Sequence, residues 1–151
     1  MRALLFLLIA ATAMACSGPL RNGDTAYSAF RHVDPDGWRY TDTLTFVVGA
    51  PADTTPVHGD ILLTVRHSDA YPYSNIWVEI LTPGGAYQTQ MELADVYGRW
   101  HGHGMGLTFE CTDTVLKGLT LARGDTLRLH HAMRTDTLTA IEQLGLFFVR
   151  D

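Results

Sequence analysis

The chain has 151 residues, of which 46% are hydrophobic and 18% charged, with a formal net charge of −5 at pH 7. That is enough for one folded domain with a core that removes most of its apolar surface from water. Eleven Lys and Arg residues are scattered without a cluster, which excludes a basic footprint for nucleic acid or for an anionic membrane face. Two cysteines exclude a disulfide-dense scaffold.

Residues 1–15 read as a signal peptide. Arg2 supplies a short basic start, and Ala3 to Ala15 is apolar apart from Thr12. This run has the length of a signal-peptide apolar region and falls short of the ~20 residues that span a bilayer. Ala13-Met14-Ala15 then leads directly into Cys16. A cysteine at that junction is what lipoprotein maturation requires: its thiol receives a diacylglycerol and the chain is cut before it. Ala13 stands where Leu is commoner. One acyl chain anchors only marginally, at ~0.8 kcal/mol per buried methylene, whereas two or three anchor stably. Residues 16–24, with Gly18, Pro19 and Gly23, read as a lipidated tether. Residues 25–151 remain as a single domain, and the mature chain is one unit more negative than the whole because Arg2 leaves with the signal.

From there the pattern is period-2 alternation, with helical periodicity almost absent. After a turn at Asp34-Pro35-Asp36-Gly37, Leu44, Phe46 and Val48 alternate with threonines. Turn chemistry from Pro51 to Pro56 and at His58-Gly59-Asp60 precedes Ile61, Leu63 and Val65. Ile76, Val78 and Ile80 form the next apolar face. Beyond Pro83-Gly84-Gly85, Tyr87, Thr89, Met91 and Leu93 oppose Gln88, Gln90 and Glu92 as a half-buried strand. Tyr97-Gly98 marks another turn. Leu107 and Phe109 then predict a strand that buries Cys111, with a Cys16–Cys111 disulfide as the competing reading. Leu127 and Leu129 follow Arg123-Gly124-Asp125, and Leu146 and Phe148 close the chain.

Thr139 to Leu144 is the one helix candidate, about a turn long. Asp-Thr-apolar recurs at Asp42, Asp113, Asp125 and Asp136, which reads as a repeated turn solution and not a sequence repeat. Short strands between such turns predict an all-β fold: an antiparallel β-sandwich, jelly-roll or immunoglobulin-like, of about eight or nine strands.

No catalytic constellation emerges. His101 and His103 straddle Gly102, and on a strand they would point to one side as zinc ligands should. The glycines around them argue against a regular strand, however, and no carboxylate or cysteine stands at ligand spacing. His130 and His131 would face opposite sides, so no metal site is assigned. The serines lack a nucleophile elbow, and Gly102-x-Gly104-x-Gly106 lacks the Lys-Ser/Thr ending of a phosphate loop. No enzyme activity or cofactor is expected beyond the covalent lipid on Cys16.

Aromatic and arginine residues are dense in three places: Tyr71, Tyr73, Asn75 and Trp77; Arg99 and Trp100; and Arg134. Tyr, Trp and Arg are enriched at binding hot spots, which makes these seven a candidate partner surface. The same residues also suit a structural role, with Pro72 and Asn75 shaping a loop and Trp100 capping one end of the sandwich. Residues 71–77 and 97–105 are expected to lie close together.

Several segments, taken in order, form a more specific pattern. They are Cys16, Trp38, Ile61-Leu62-Leu63-Thr64-Val65-Arg66-His67, and Tyr71-Pro72-Tyr73-Ser74-Asn75-Ile76. Next are Leu93-Ala94-Asp95-Val96-Tyr97-Gly98-Arg99-Trp100-His101-Gly102-His103-Gly104 and His130-His131-Ala132-Met133-Arg134, with Ile141 to Phe147. As an ordered set this resembles the gliding-motility-associated lipoprotein GldH family of the Bacteroidetes. The resemblance implies a non-enzymatic outer-membrane lipoprotein, facing the periplasm and belonging to the gliding and type IX secretion machinery. Its partners would be other envelope lipoproteins or proteins of that apparatus. Only Cys16 carries over with a defined role. Ser17-Gly18-Pro19-Leu20-Arg21 lacks an acidic run of the kind that resembles a surface-export signal, which favours the periplasmic leaflet. The rival reading is a lipid-anchored periplasmic module that binds glycan or peptide on the same aromatics.

Overall fold

A computed structural model describes residues 25–49 and 55–151. The signal, the tether, Cys16 and the start of the Pro51 to Pro56 turn lie outside the described residues. Eleven strands and no helix occur among the described residues. They are β1 (Thr25–His32), β2 (Trp38–Arg39), β3 (Leu44–Val47), β4 (Val57–Ser68), β5 (Asn75–Thr82), β6 (Gly85–Glu92), β7 (His103–Met105), β8 (Thr108–Leu121), β9 (Thr126–His131), β10 (Thr137–Leu138) and β11 (Ile141–Arg150). Eight of the eleven have four residues or more, and the expected count of eight or nine holds for these. The rest are fragments of two or three residues.

A five-stranded sheet in the order β1-β11-β4-β8-β7 faces a four-stranded sheet in the order β3-β9-β5-β6, with β10-β2 as a small ribbon. Every pairing is antiparallel. The alternation explains why the layers close. Ile61, Leu63 and Val65 of β4 are buried beside Leu144, Leu146 and Phe148 of β11, and the cross-strand pairs include Leu63↔Leu146 and Val65↔Leu144. Opposite them lie Ile76, Val78 and Ile80 of β5, Leu127 and Leu129 of β9, and Phe46 of β3. Burying each such side chain is worth about 1.5–3 kcal/mol. Thr64 and Thr112, cross-strand partners that alternate with these core positions and so lie on the other face of the sheet, are joined hydroxyl to hydroxyl at 2.7 Å.

Three local expectations are corrected. Thr139 to Leu144 is not helical: Ala140 takes φ 65° and turns the chain from β10 into β11. In β6, Met91 is buried but Tyr87 is 37% exposed, because β6 is an edge strand whose outer half overhangs the core. Leu107 is 69% exposed, since it sits in the tight β7–β8 turn and not on a strand. Cys111 is buried in β8, as expected, with its thiol directed to the Glu92 carbonyl at 3.7 Å.

The registers define two ends of the molecule. Thr25 pairs with Val149, Val149 with Asp60 and Val57 with Leu121, so the first described residue lies at that end. His32↔Gln143, His67↔Ile141 and Ser68↔Thr108 mark the opposite end. At ~3.3 Å per residue, β4 alone separates the two by more than about 25 Å.

Candidate functional site

The end remote from Thr25 is built on an aromatic cluster around His67. Trp100 meets the His67 ring at 4.5 Å, Tyr71 at 5.5 Å and Phe109 at 5.9 Å. Tyr71 is 3% exposed and donates its hydroxyl to the Asn75 carbonyl at 2.9 Å. It is therefore a support beneath the surface and not part of a contact face. Its sequence neighbours read as loop, but His67 and Trp100 close over the ring. Residues 71–77 and 97–105 do adjoin: Leu93 and Ala94 both donate to the Ser74 carbonyl, and Ala94 bridges to Trp100.

Above this cluster stands a short, tightly held loop. The Asp95 carboxylate accepts from the N–H groups of Tyr97 and Arg99, both at 2.9 Å, and from the Arg99 guanidinium at 2.7 Å. The Arg99 N–H above all, then the guanidinium, holds the Asp95 carboxyl below its ordinary range. Gly98 at φ 79° lets the loop turn back, and its N–H meets the Asp95 carbonyl at 3.0 Å. The Arg99 guanidinium lies 5.4 Å from the centre of the Tyr97 ring. So anchored, the loop holds Val96 93% and Tyr97 81% exposed. At the same end, Met105 at the close of β7 is 87% exposed, alongside Leu107 in the turn that follows. Val96 was not legible as a site residue, because a lone apolar residue in a polar turn carries no sequence signal. Met105 flanks a hollow of about 580 Å³ shared with Arg66, Glu110 and Glu142, where Arg66 and Glu110 pair at 2.7 Å.

Tyr73, Asn75, Trp77 and Arg134 come together elsewhere, on the outer face of the four-stranded sheet. With Gln88, Ala132 and Met133 they line an open groove of about 550 Å³. The seven candidate residues thus divide into this groove, the buried support of Tyr71 and half-buried Trp100, and Arg99 in the Asp95 loop.

The histidines have separate roles. Gly102 at φ 80° breaks the strand between His101 and His103, and no group of three or more metal-ligating side chains occurs among the described residues. His130 faces outward to Glu79 at 2.8 Å, while His131 points inward and meets the Trp38 carbonyl at 2.9 Å. His67 likewise meets the Ser68 carbonyl at 2.9 Å. Since carbonyls only accept, His67 Nδ1 and His131 Nε2 carry the protons. The second nitrogen of each ring is buried with no hydrogen bond. Burial lowers the pKa of both below the usual histidine value, outweighing the neighbouring carbonyls. The unfolded chain takes up protons on these rings near pH 6.5 while the folded chain keeps them neutral. The stability they confer is whole above that pH and declines as pH falls below it. We expect the Tm to drop between pH 7.5 and 5.0, and His67→Phe to reduce the drop. Melting curves with the same pH dependence in that variant would contradict the assignment.

The architecture is that of an all-β sandwich with preformed loops at one end and an open groove on one face. Within that class the chain belongs to the GldH lipoprotein family, whose profile matches residues 25–147. It is accordingly a lipoprotein linked to gliding motility, and the family is not a known enzyme family. No curated protein matches the chain in sequence. Among solved structures, it is similar to the Eiger TNF from S. frugiperda at 15% identity and TM-score 0.34, covering 85% of this chain and 94% of that one. A family two carbohydrate esterase from Cellvibrio japonicus is similar at 16% identity and TM-score 0.30, covering 82% of this chain and 35% of that one. Likeness at this level bears neither on fold nor on function.

Proposed function

We propose that the chain is a non-enzymatic lipoprotein of the outer membrane, anchored through lipid on Cys16 and facing the periplasm. Residues 25–151 act as one domain that works in the gliding and type IX secretion machinery through contacts with its proteins. The observation that carries this reading is the exposure of Val96, Tyr97, Met105 and Leu107 on tightly built loops. Large apolar side chains so fully exposed at one end mark an interaction surface. Loops already fixed in shape lose little entropy on binding. Thr25, where the tether arrives, lies at the other end, so these loops point away from the lipid and towards a protein partner.

The test is a crosslinking pull-down from intact envelopes with the Tyr97→Ser/Met105→Ser variant beside the wild type. Truncating buried anchors of an interface costs about 1–3 kcal/mol each. Recovery of partner proteins is therefore expected to fall at least tenfold, with the melting curve unchanged. Undiminished recovery would refute the assignment of the surface.

A further inference from the structure

The groove on the four-stranded sheet has a different chemistry from the loops. We propose that it is a binding site for an extended, uncharged glycan, stacked on Trp77 and held by Gln88, Asn75 and Arg134.

Trp77 and Tyr73 are 38% and 39% exposed, so two aromatic rings lie open in one groove of about 550 Å³. That volume falls in the 300–1,000 Å³ range of small-molecule sites. The backbone that carries Trp77 is held on both sides of its peptide, and the Tyr73 ring is packed. The Trp77 carbonyl accepts from the Ala132 N–H at 2.7 Å, and its own N–H donates to Met133 Sδ at 3.2 Å. Those two contacts fix the segment after β9 beside Trp77 and bring Arg134 to the groove. On the other side Tyr73 packs edge-on against Tyr71 at 5.7 Å.

The polar groups around these rings suit sugars. Asn75 and Gln88 each offer an amide that both donates and accepts, which matches the dual character of hydroxyl groups. Gln90 stands directly across from Trp77 on β6. Arg134 makes no ion pair among the described residues, so its fork of donors is available to a pair of adjacent hydroxyls. Glu79, a neighbouring carboxylate on this face, is already paired with His130. The lining thus presents flat apolar faces beside neutral hydrogen-bonding groups and one guanidinium. A hydroxyl-rich ring with an apolar C–H face satisfies both. The groove lies on the flat outer surface of a sheet, which favours a ribbon-like β-linked chain over a coiled one.

The experiment titrates cellohexaose and chitohexaose into the mature chain, read by tryptophan fluorescence and calorimetry. Saturable binding of either is expected, at least tenfold weaker in Trp77→Ala and at least fivefold weaker in Arg134→Gln, but unchanged in Tyr97→Ser. Circular dichroism confirms that the variants fold. No saturable binding of either oligosaccharide, or binding that survives both groove substitutions, would overturn the proposal.

Discussion

Gly102→Ala is expected to destabilise the protein by about 3 kcal/mol or more, a large effect for adding one methyl group. Gly102 sits at φ 80°, where an L side chain is strained, and a Cβ there would be driven into the Glu110 carbonyl oxygen, with the carbonyl carbon at 2.8 Å. The obstacle is the backbone of β8 and cannot rotate away. Gly106 provides the comparison: its φ is 63°, but a Cβ there meets nothing within 4 Å. Gly106→Ala should therefore cost only the conformational strain, about 1–2 kcal/mol. Urea unfolding of both variants separates the two terms. Because Gly102 sets β7 against β8, its substitution should also displace Met105 and reduce capture of partners. Equal costs for the two substitutions would show that the close approach of Gly102 to β8 is unimportant.

Trp38→Ala is expected to cost about 4 kcal/mol, within the range for removing a buried aromatic side chain. Trp38 is fully buried, and its indole N–H donates to the Asp42 carbonyl at 2.8 Å. Its ring meets His131 edge-on at 5.3 Å, and its backbone pairs with Leu138. The side chain closes the space between the β2–β10 ribbon and β9. Removing it leaves a cavity and opens a path for water to His131, whose neutral form the burial protects. Thermal melts should show a loss of roughly 10 °C or more, with Trp38→Phe recovering part of it. A loss below about 1 kcal/mol in Trp38→Ala would mean that the ribbon collapses onto the gap.

The sandwich was legible wherever one face of a strand meets the core and the other is open to solvent, as in Ile76-Trp77-Val78-Glu79-Ile80. β1 was not legible. Thr25–His32 is an edge strand whose sequence, TAYSAFRH, has no regular alternation. Its position is set by pairing with β11. The helical spacing of Ile141 and Leu144 has a specific cause. A register shift between Ile141 and Gln143 inserts an extra residue, so two positions three apart both face the core. A β-bulge thus imitates a helical turn. The Trp77 to Arg134 meeting depends on contacts between segments distant in sequence, so the sequence could name those residues without grouping them. Tyr71 looked accessible because Pro72 and Ser74 signal a loop, while the His67 ring that covers it comes from β4.

The most direct test of the central claim is site-specific photo-crosslinking in living cells. A photoreactive phenylalanine analogue is placed at position 97 in one strain and at position 120, an exposed site near the Thr25 end, in another. Adducts with gliding or secretion proteins from position 97, absent at position 120 and lost in Cys16→Ala, are the predicted result. Adducts at position 120 with none at position 97 would contradict the assigned orientation and contact surface.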